Sequence, residues 1–187
     1  IVAFRDRSAG EIRDISVSRF EHGTWTEPRV VHAGGWKIPA CPVNGPVLSA
    51  RGRDVAIAWF TVVKDQGQAF VAFSKDAGRT FGAPIRLDEA GSLGRVDVEL
   101  MADGGAAASW IEFAGGRAQF RVRRVDPSGA KTPFTIVSSV EGNGTSGYPR
   151  IAVDGDRIVF AWTESAAGRL RVQTAVAPST RYTERAR

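Results

Sequence analysis

The stretch Asp54–Val62, DVAIAWFTV, recurs along the chain with its tryptophan at a nearly constant interval. Two later segments, GAAASWIEF and RIVFAWTES, align with it, and the tryptophans Trp59, Trp110 and Trp162 are 51 and 52 residues apart. A fourth copy, IVAFRDRS, places Phe4 at the tryptophan position, 55 residues before Trp59. Self-similarity at a fixed period of this length is the sequence signature of a repeat architecture. The 187 residues are therefore interpreted as four copies of one unit.

Each unit is predicted to contain four short antiparallel strands joined by turns rich in Gly and Asp. In the second unit the strands are GPVLSA, DVAIAWFTV, QAFVAFS and APIRLD. Four antiparallel strands in about 50 residues are typical of a propeller blade. A two-sheet sandwich also uses many short strands, but it does not explain a tryptophan at the same point of each unit, whereas stacked blades bury the same position each time. We predict an all-β fold, a single β-propeller segment over 1–187 with blades at about 1–32, 44–89, 94–139 and 147–178.

The composition argues against several classes of protein. The net charge is +5, but Lys and Arg are dispersed along the chain, so nucleic acid is not an expected partner. No apolar run approaches the roughly 20 residues that a membrane-spanning helix needs. Cys41 is the only cysteine and therefore has no partner for an internal disulfide. With His22 and His32 as the only histidines, no metal-ligand spacing is evident, and we expect neither a metal nor a cofactor.

The stretch 74–84, SKDAGRTFGAP, joins the third and fourth predicted strands of the second unit. In such a turn an Asp carboxylate can accept backbone N–H groups, Gly supplies a positive φ, and the aromatic residue packs between sheets. The pattern resembles the Asp-box, or BNR repeat, of the sialidase superfamily of β-propellers, and the whole chain resembles bacterial sialidase-like BNR-repeat proteins. The matching residues are Ser74, Asp76, Gly78, Thr80 and Phe81. In that family the box lies on outer hairpins away from the active site, so we interpret it as structural.

This resemblance implies a propeller of six blades, a secreted or periplasmic location, and an exo-sialidase-like glycoside hydrolase as the enzyme, if the chain is active. Family members hold the sugar carboxylate with arginines, because a guanidinium pairs a carboxylate through two parallel hydrogen bonds. They also use a Tyr–Glu nucleophile pair and an Asp acid/base. No Tyr–Glu pair can be assigned here, since Tyr182 lies in a polar tail and Tyr148 has no evident partner.

Ligands of propellers usually meet the ends of the innermost strands, which directs attention to the first strand of each unit. In the third unit this strand carries Arg95, Asp97 and Glu99 in alternation, and charges on a buried strand need partners or a wet channel. The fourth unit begins with Tyr148 and Arg150 at the equivalent entrance. We interpret Tyr148 as a ligand contact, and Arg95 and Arg150 either as anion ligands or as partners of neighbouring carboxylates.

A charged cluster near the N-terminus supplies the remaining candidates. Arg5 and Arg7 are predicted ligand residues, and Glu11 and Asp14 are candidate acid/base groups, since a carboxylic acid beside arginines can be tuned for proton transfer. Alternating charges on an exposed hairpin are the other interpretation. Trp36, in a loop that exceeds the repeat, is either a platform for a sugar ring or a side chain half-buried against a blade.

The preferred functional hypothesis is recognition of an acidic glycan or other small anionic ligand, with exo-glycosidase activity only in a complete propeller. The alternative is a non-catalytic scaffold or protein-binding propeller. Convergence of Arg95, Arg150 and one of Arg5 or Arg7 on one concave face would favour the first. The first unit lacks an inner strand and the fourth lacks a clear outer strand, and exposed edges and apolar faces invite association. We therefore expect either a fragment of a longer propeller or a homo-oligomer that completes it.

Overall fold

The computed structural model describes residues 1–142, 147–166 and 168–179. Within these ranges the chain forms antiparallel β-strands and no α-helix. The predicted polar tail with Tyr182 lies outside the described residues. In the part of the chain that is described, no helix is long and apolar enough to cross a membrane, and no three His, Cys, Asp or Glu side chains form a group that could hold a metal ion.

Sheet I is a three-stranded sheet at the start of the chain. Its strands, paired in this order, are β1 (Val2–Arg5), β2 (Ile15–Ser18) and β5 (Arg29–His32). Between the second and third of these strands lies a short hairpin of β3 (Phe20–Glu21) and β4 (Thr24–Trp25).

Two four-stranded sheets follow, each with its strands paired in chain order. Sheet II contains β6 (Val47–Arg51), β7 (Asp54–Val63), β8 (Gln66–Ser74) and β9 (Ile85–Arg86). Sheet III contains β10 (Ser92–Leu100), β11 (Ala106–Ala114), β12 (Arg117–Val125) and β13 (Thr135–Val140). Sheet IV has three described strands, β14 (Arg150–Asp154), β15 (Arg157–Ala166) and β16 (Arg169–Pro178). The all-β prediction is confirmed, and the four-stranded antiparallel sheets resemble propeller blades.

Consecutive sheets stack face to face, with one apolar core between each pair. Trp59 lies in the core between sheets I and II, and Trp110 in the core between sheets II and III. Trp162 packs against the core between sheets III and IV. Each tryptophan therefore faces the preceding sheet, which explains why the sequence repeats an aromatic residue at this point of each unit.

The apolar character of β7 on both faces follows from this stacking. Ile57 and Trp59 face sheet I, whereas Ala56 and Ala58 face sheet III, and all four side chains are buried. A sheet that is covered on both faces needs apolar residues at successive positions rather than in alternation with polar ones. The run DVAIAWFTV has this character because its sheet lies inside the stack.

Sheets II and III approach each other closely at Gly67 in β8. A Cβ atom at this position would lie 2.2 Å from the carbonyl oxygen of Ser92 in β10 and 2.8 Å from the ring of Phe60. Since the first of these atoms belongs to the backbone, it cannot move away like the end of a flexible side chain. Only glycine allows this approach of the two backbones.

Candidate functional site

The segments that lead into the inner strands of sheets II, III and IV meet near the end of β1. Arg5, the last residue of β1, donates from Nε and Nη2 to the carbonyl oxygen of Asn44 at 3.1 and 2.9 Å. The side-chain oxygen of Asn44 accepts the backbone N–H of Arg95 at 2.9 Å. Tyr148, which precedes β14, donates its hydroxyl to the carbonyl oxygen of Val43 at 2.7 Å. We call this region, formed by the end of β1, segment 33–46 and the starts of β10 and β14, the entrance face.

Arg95 and Tyr148 lie side by side on the entrance face. The guanidinium carbon of Arg95 is 5.8 Å from the centre of the Tyr148 ring, within the range of a cation–π contact. The pairing of β10 with β11 shifts register between Gly94 and Asp97, and Arg95 has a φ of 53°. The regular alternation predicted for the charged residues of this strand is therefore broken at Arg95, because a bulge re-aims the side chain.

Arg150 pairs with a buried carboxylate at the first residue of β14. Its Nε lies 3.1 Å from Oδ2 of Asp97, while its own side chain remains 61% exposed. Asp97 also accepts the backbone N–H groups of Ile151 at 2.8 Å and of Val98 at 3.0 Å. Burial raises the pKa of Asp97, and these donors and Arg150 oppose that rise. Of the two interpretations of Arg150, pairing with a carboxylate is present in the structure.

The inner strands are tied together by polar contacts as well as by apolar packing. Asp97 links β10 to β14, and on the other side of β10 the carboxylate of Glu99 accepts the hydroxyl of Ser49 in β6 at 2.9 Å. The same hydroxyl oxygen accepts the N–H of Leu100 at 2.9 Å. The Asp97–Arg150 pair therefore belongs to a set of polar contacts that joins the inner strands of three sheets.

Arg5 is held within the protein by main-chain acceptors. Besides Asn44, its guanidinium donates to the carbonyl oxygens of Arg13 at 2.7 Å and of Phe60. The guanidinium lies 4.9 Å from the centre of the Trp36 ring, which meets the Phe60 ring edge-on at 5.6 Å between centres. Burial lowers the pKa of Arg5 to about 10, so the group stays protonated at neutral pH. The hydrogen bonds of Arg5 to Asn44 therefore fix the position of segment 33–46, and Trp36 is half-buried beside Arg5.

The two predicted acid/base groups make structural contacts. Glu11 has a φ of 61°, and its carboxylate oxygens pair with Arg7 at 2.5 Å and with Arg13 at 2.8 Å. The hydrogen bond from Arg7 lowers the pKa of Glu11, which favours the ionised form over a proton donor. Asp14 accepts the N–H of Gly35 at 2.8 Å and so fixes segment 33–46 to the β1–β2 connection.

The turn that resembles an Asp-box lies at the end of sheet II opposite the entrance face, and hydrogen bonds among its own residues hold it. Oδ1 of Asp76 accepts the N–H of Thr80 at 2.9 Å, and Oδ2 accepts its hydroxyl at 2.7 Å. The Ser74 hydroxyl donates to Asp76 at 2.7 Å and accepts the N–H of Gly78 at 2.8 Å. Hydrogen bonds from Thr80 lower the pKa of Asp76. Phe81 packs against the core between sheets I and II, as expected for a structural turn.

Two residues that the structure shows in central positions were not among the predicted ones. Glu112 is 0% exposed, accepts Trp110 Nε1 at 2.7 Å, and pairs with Arg121 at 2.8 Å. Its signal in the sequence is a glutamate two residues after the tryptophan, which recurs at Glu164. No local sequence pattern indicates the role of Asn44, because its hydrogen-bond partners lie 39 and 51 residues away in the chain.

No known protein family matches the sequence, and no curated protein matches it. Among solved structures, an α-L-arabinofuranosidase from Podospora anserina in complex with cellotriose aligns with a TM-score of 0.44 and 14% identity, covering 90% of this chain and 67% of that one. A GH43 protein from Bacillus licheniformis aligns with a TM-score of 0.41 and 11% identity, covering 94% of this chain and 40% of that one. The chain has a distant structural similarity to glycosidases of the β-propeller type. The finer assignment to the sialidase superfamily stays a prediction.

Proposed function

We propose that this chain recognises an acidic carbohydrate at the entrance face, with Arg95, Tyr148 and Arg150 as the contact residues. The observation that carries the proposal is an exposed aromatic ring, Tyr148, with the Arg95 guanidinium beside it and the exposed Arg150 two residues further along the chain. A sugar ring can stack on an aromatic face, and a guanidinium binds a carboxylate in a defined geometry. This combination suits a sugar acid better than a neutral sugar or an inorganic anion.

The buried carboxylate of Asp97 supports this role for Arg150. Its contact with Nε holds the guanidinium at the start of β14, and a side chain that is already ordered loses less entropy when it binds a ligand. The contact with Asp97 leaves much of the guanidinium accessible to a ligand, since the Arg150 side chain is 61% exposed. Arg150 therefore combines a fixed position with access from solvent.

Binding is better supported than hydrolysis. Glycoside hydrolysis commonly uses two carboxyl groups that flank the scissile bond, one of them protonated. Glu11 is paired with two arginines and its pKa is lowered by the hydrogen bond from Arg7, which favours the ionised form, while Asp14 accepts the N–H of Gly35. Exo-glycosidase activity is proposed only for a complete propeller, in which further sheets would supply the missing groups. A protein-binding scaffold is the second candidate, favoured by the apolar side chains exposed on the end sheets.

Titration calorimetry with sialyllactose, an oligogalacturonate and their neutral counterparts tests the proposal. We expect binding of at least one acidic sugar, and about a tenfold or greater loss of affinity in Arg150→Ala, since a hydrogen bond to a charged group contributes about 1.5–3 kcal/mol. Arg157→Ala is the matched control, because Arg157 lies beyond the other end of β14, pairs with Asp154 and has a side chain 59% exposed. Equal losses in both variants, or no difference between acidic and neutral sugars, would contradict the proposal.

A further inference from the structure

We propose that a cavity between sheet I and the turn that resembles an Asp-box binds a phosphate group, either as inorganic phosphate or as the phosphate monoester of a small molecule. The cavity has a volume of about 230 Å³. We call it the arginine cavity, because its polar lining consists mainly of Arg19, Arg29 and Arg79, together with Glu21 and Thr26. It adjoins the end of sheet II opposite the entrance face, so the proposal is independent of the carbohydrate function.

Both walls of the arginine cavity are formed by the described sheets of this chain. Arg29 pairs in register with Val17, so the two side chains leave sheet I on the same face, and Val17 packs in the core between sheets I and II. Nε of Arg19 donates to the carbonyl oxygen of Ala77 at 2.8 Å. Nη1 of Arg29 donates to the carbonyl oxygen of Arg79 at 3.0 Å. The arginines of sheet I therefore point toward sheet II, and the main chain of the turn fixes their positions.

The arginine cavity carries more positive than negative charge. Among its lining residues, three guanidinium groups face a single carboxylate, that of Glu21. Glu21 pairs with Arg19 and also with Arg79, the latter at 2.7 Å. Two positive charges are therefore left without a carboxylate of the cavity to balance them. A cleft lined by charge of one sign focuses the electrostatic field and attracts ions of the opposite sign.

The lining residues keep hydrogen-bond donors for a ligand. A guanidinium group has five N–H groups. Arg79 uses Nη2 in its contact with Glu21, and its side chain is 46% exposed. Oγ1 of Thr26 accepts the backbone N–H of Arg19 at 3.0 Å, so the hydroxyl hydrogen can be donated into the cavity. The described contacts therefore hold the cavity in shape and leave N–H and O–H groups that a bound anion can accept.

The charge and the size of the arginine cavity favour a phosphate group over a carboxylate. A phosphate monoester carries about −1.5 to −2 charges at pH 7 and three strong acceptor oxygens, which match two unbalanced positive charges and three guanidinium groups. A monocarboxylate supplies only one charge. The 230 Å³ of the cavity is less than the roughly 300–1,000 Å³ of sites that enclose a drug-sized ligand. The cavity therefore suits a single phosphate group, with the rest of an esterified molecule outside it.

Titration calorimetry at constant ionic strength gives the first test, with inorganic phosphate, glucose 6-phosphate and glucose as probes. Glucose 6-phosphate should bind more tightly than glucose if the cavity takes a monoester, and binding of inorganic phosphate without this difference identifies a site for the free ion. Arg79→Ala should bind phosphate about tenfold more weakly or worse, because hydrogen bonds from a charged donor are lost.

Lys75→Ala is the matched control for Arg79→Ala. It removes a positive charge from the same turn, but Lys75 pairs with Asp54 at 2.9 Å, has a side chain 62% exposed, and is not among the residues that line the cavity. Its phosphate affinity should equal that of the parent chain. Equal losses in the two variants, or a parent chain that binds neither phosphate probe at millimolar concentration, would overturn the proposal.

A second variant tests the role of the unbalanced charge. Glu21→Gln removes the carboxylate and keeps an oxygen that can accept N–H groups of Arg19 and Arg79. It should bind phosphate about threefold more tightly or better, because a negative charge beside the bound anion is removed. Circular dichroism checks that each variant folds. Unchanged or weaker binding by Glu21→Gln would contradict the proposal, and a loss of phosphate binding in Arg150→Ala but not in Arg79→Ala would place the phosphate at the entrance face instead.

Discussion

Replacing Glu112 by alanine should destabilise the contact between sheets II and III severely. The carboxylate is fully buried, accepts hydrogen bonds from Trp110 Nε1 at 2.7 Å and from the N–H of Ala90 at 3.0 Å, and pairs with Arg121, also buried, at 2.8 Å. Removing one member of a buried ion pair costs about 3–5 kcal/mol, because the other charge is left uncompensated. The whole stability of a domain is about 5–15 kcal/mol. Glu112→Ala should therefore lose a large share of the free energy of unfolding.

Urea unfolding followed by tryptophan fluorescence measures this loss. Glu112→Gln should lose less, since an amide oxygen can still accept the Trp110 N–H. The double variant Glu112→Met with Arg121→Met should recover most of the loss, because apolar residues in place of a buried ion pair are often neutral or stabilising. A cost below about 1 kcal/mol for Glu112→Ala, the range of surface ion pairs, would refute the reasoning, as would a double variant no more stable than the single one.

Two further predictions concern stability. Gly67→Ala should lower the free energy of unfolding by about 1–3 kcal/mol or more, because the new Cβ would lie 2.2 Å from a backbone oxygen of β10. Thermal melts measure this loss. The control variant Gly45→Ala should show no such loss, because no atom lies within 4 Å of the Cβ position there. Asp76→Ala should lower the melting temperature at neutral pH without changing the affinity for an acidic carbohydrate, since hydrogen bonds to the ionised form lower the pKa of this carboxyl. That contribution is fully present above the pKa of an unfolded Asp and is lost as the pH falls through the lower folded pKa. The gap between variant and parent should therefore narrow in acid, and a gap independent of pH would contradict the assignment.

The stacked architecture could be predicted from the sequence because one packing position repeats. Trp59, Trp110 and Trp162 occupy the same place in successive sheets, so their spacing reports the size of the structural unit. The turn around Asp76 was also predictable, since the side-chain hydrogen bonds of Ser74 and Asp76 lie within seven residues. Local patterns and fixed periods can be read directly from a sequence.

The chemistry of the entrance face was only partly predictable. The sequence could place Arg95, Tyr148 and Arg150 near the starts of inner strands, and the structure shows Arg95 beside Tyr148 and Arg150 paired with Asp97. Their role as ligand contacts stays a prediction. The partners of Arg5 could not be predicted, since its acceptors are main-chain carbonyls up to 55 residues away and any residue type supplies a carbonyl. The burial of Glu112 depends on Arg121, which reaches it only after two strands have paired.

The stacking of sheets through successive tryptophans also determines how the molecule can open. Each of the three apolar cores lies between two neighbouring sheets, so the apolar part of the stability is close to a sum of contacts between adjacent sheets, as in linear repeat proteins. Among the described residues, sheet III loses two apolar interfaces when it detaches, and sheet IV loses one. Local openings that expose the backbone amides of sheet IV to hydrogen exchange should therefore require only a fraction of the global free energy of unfolding. The amides of β11, in contrast, should exchange only when the sheets separate.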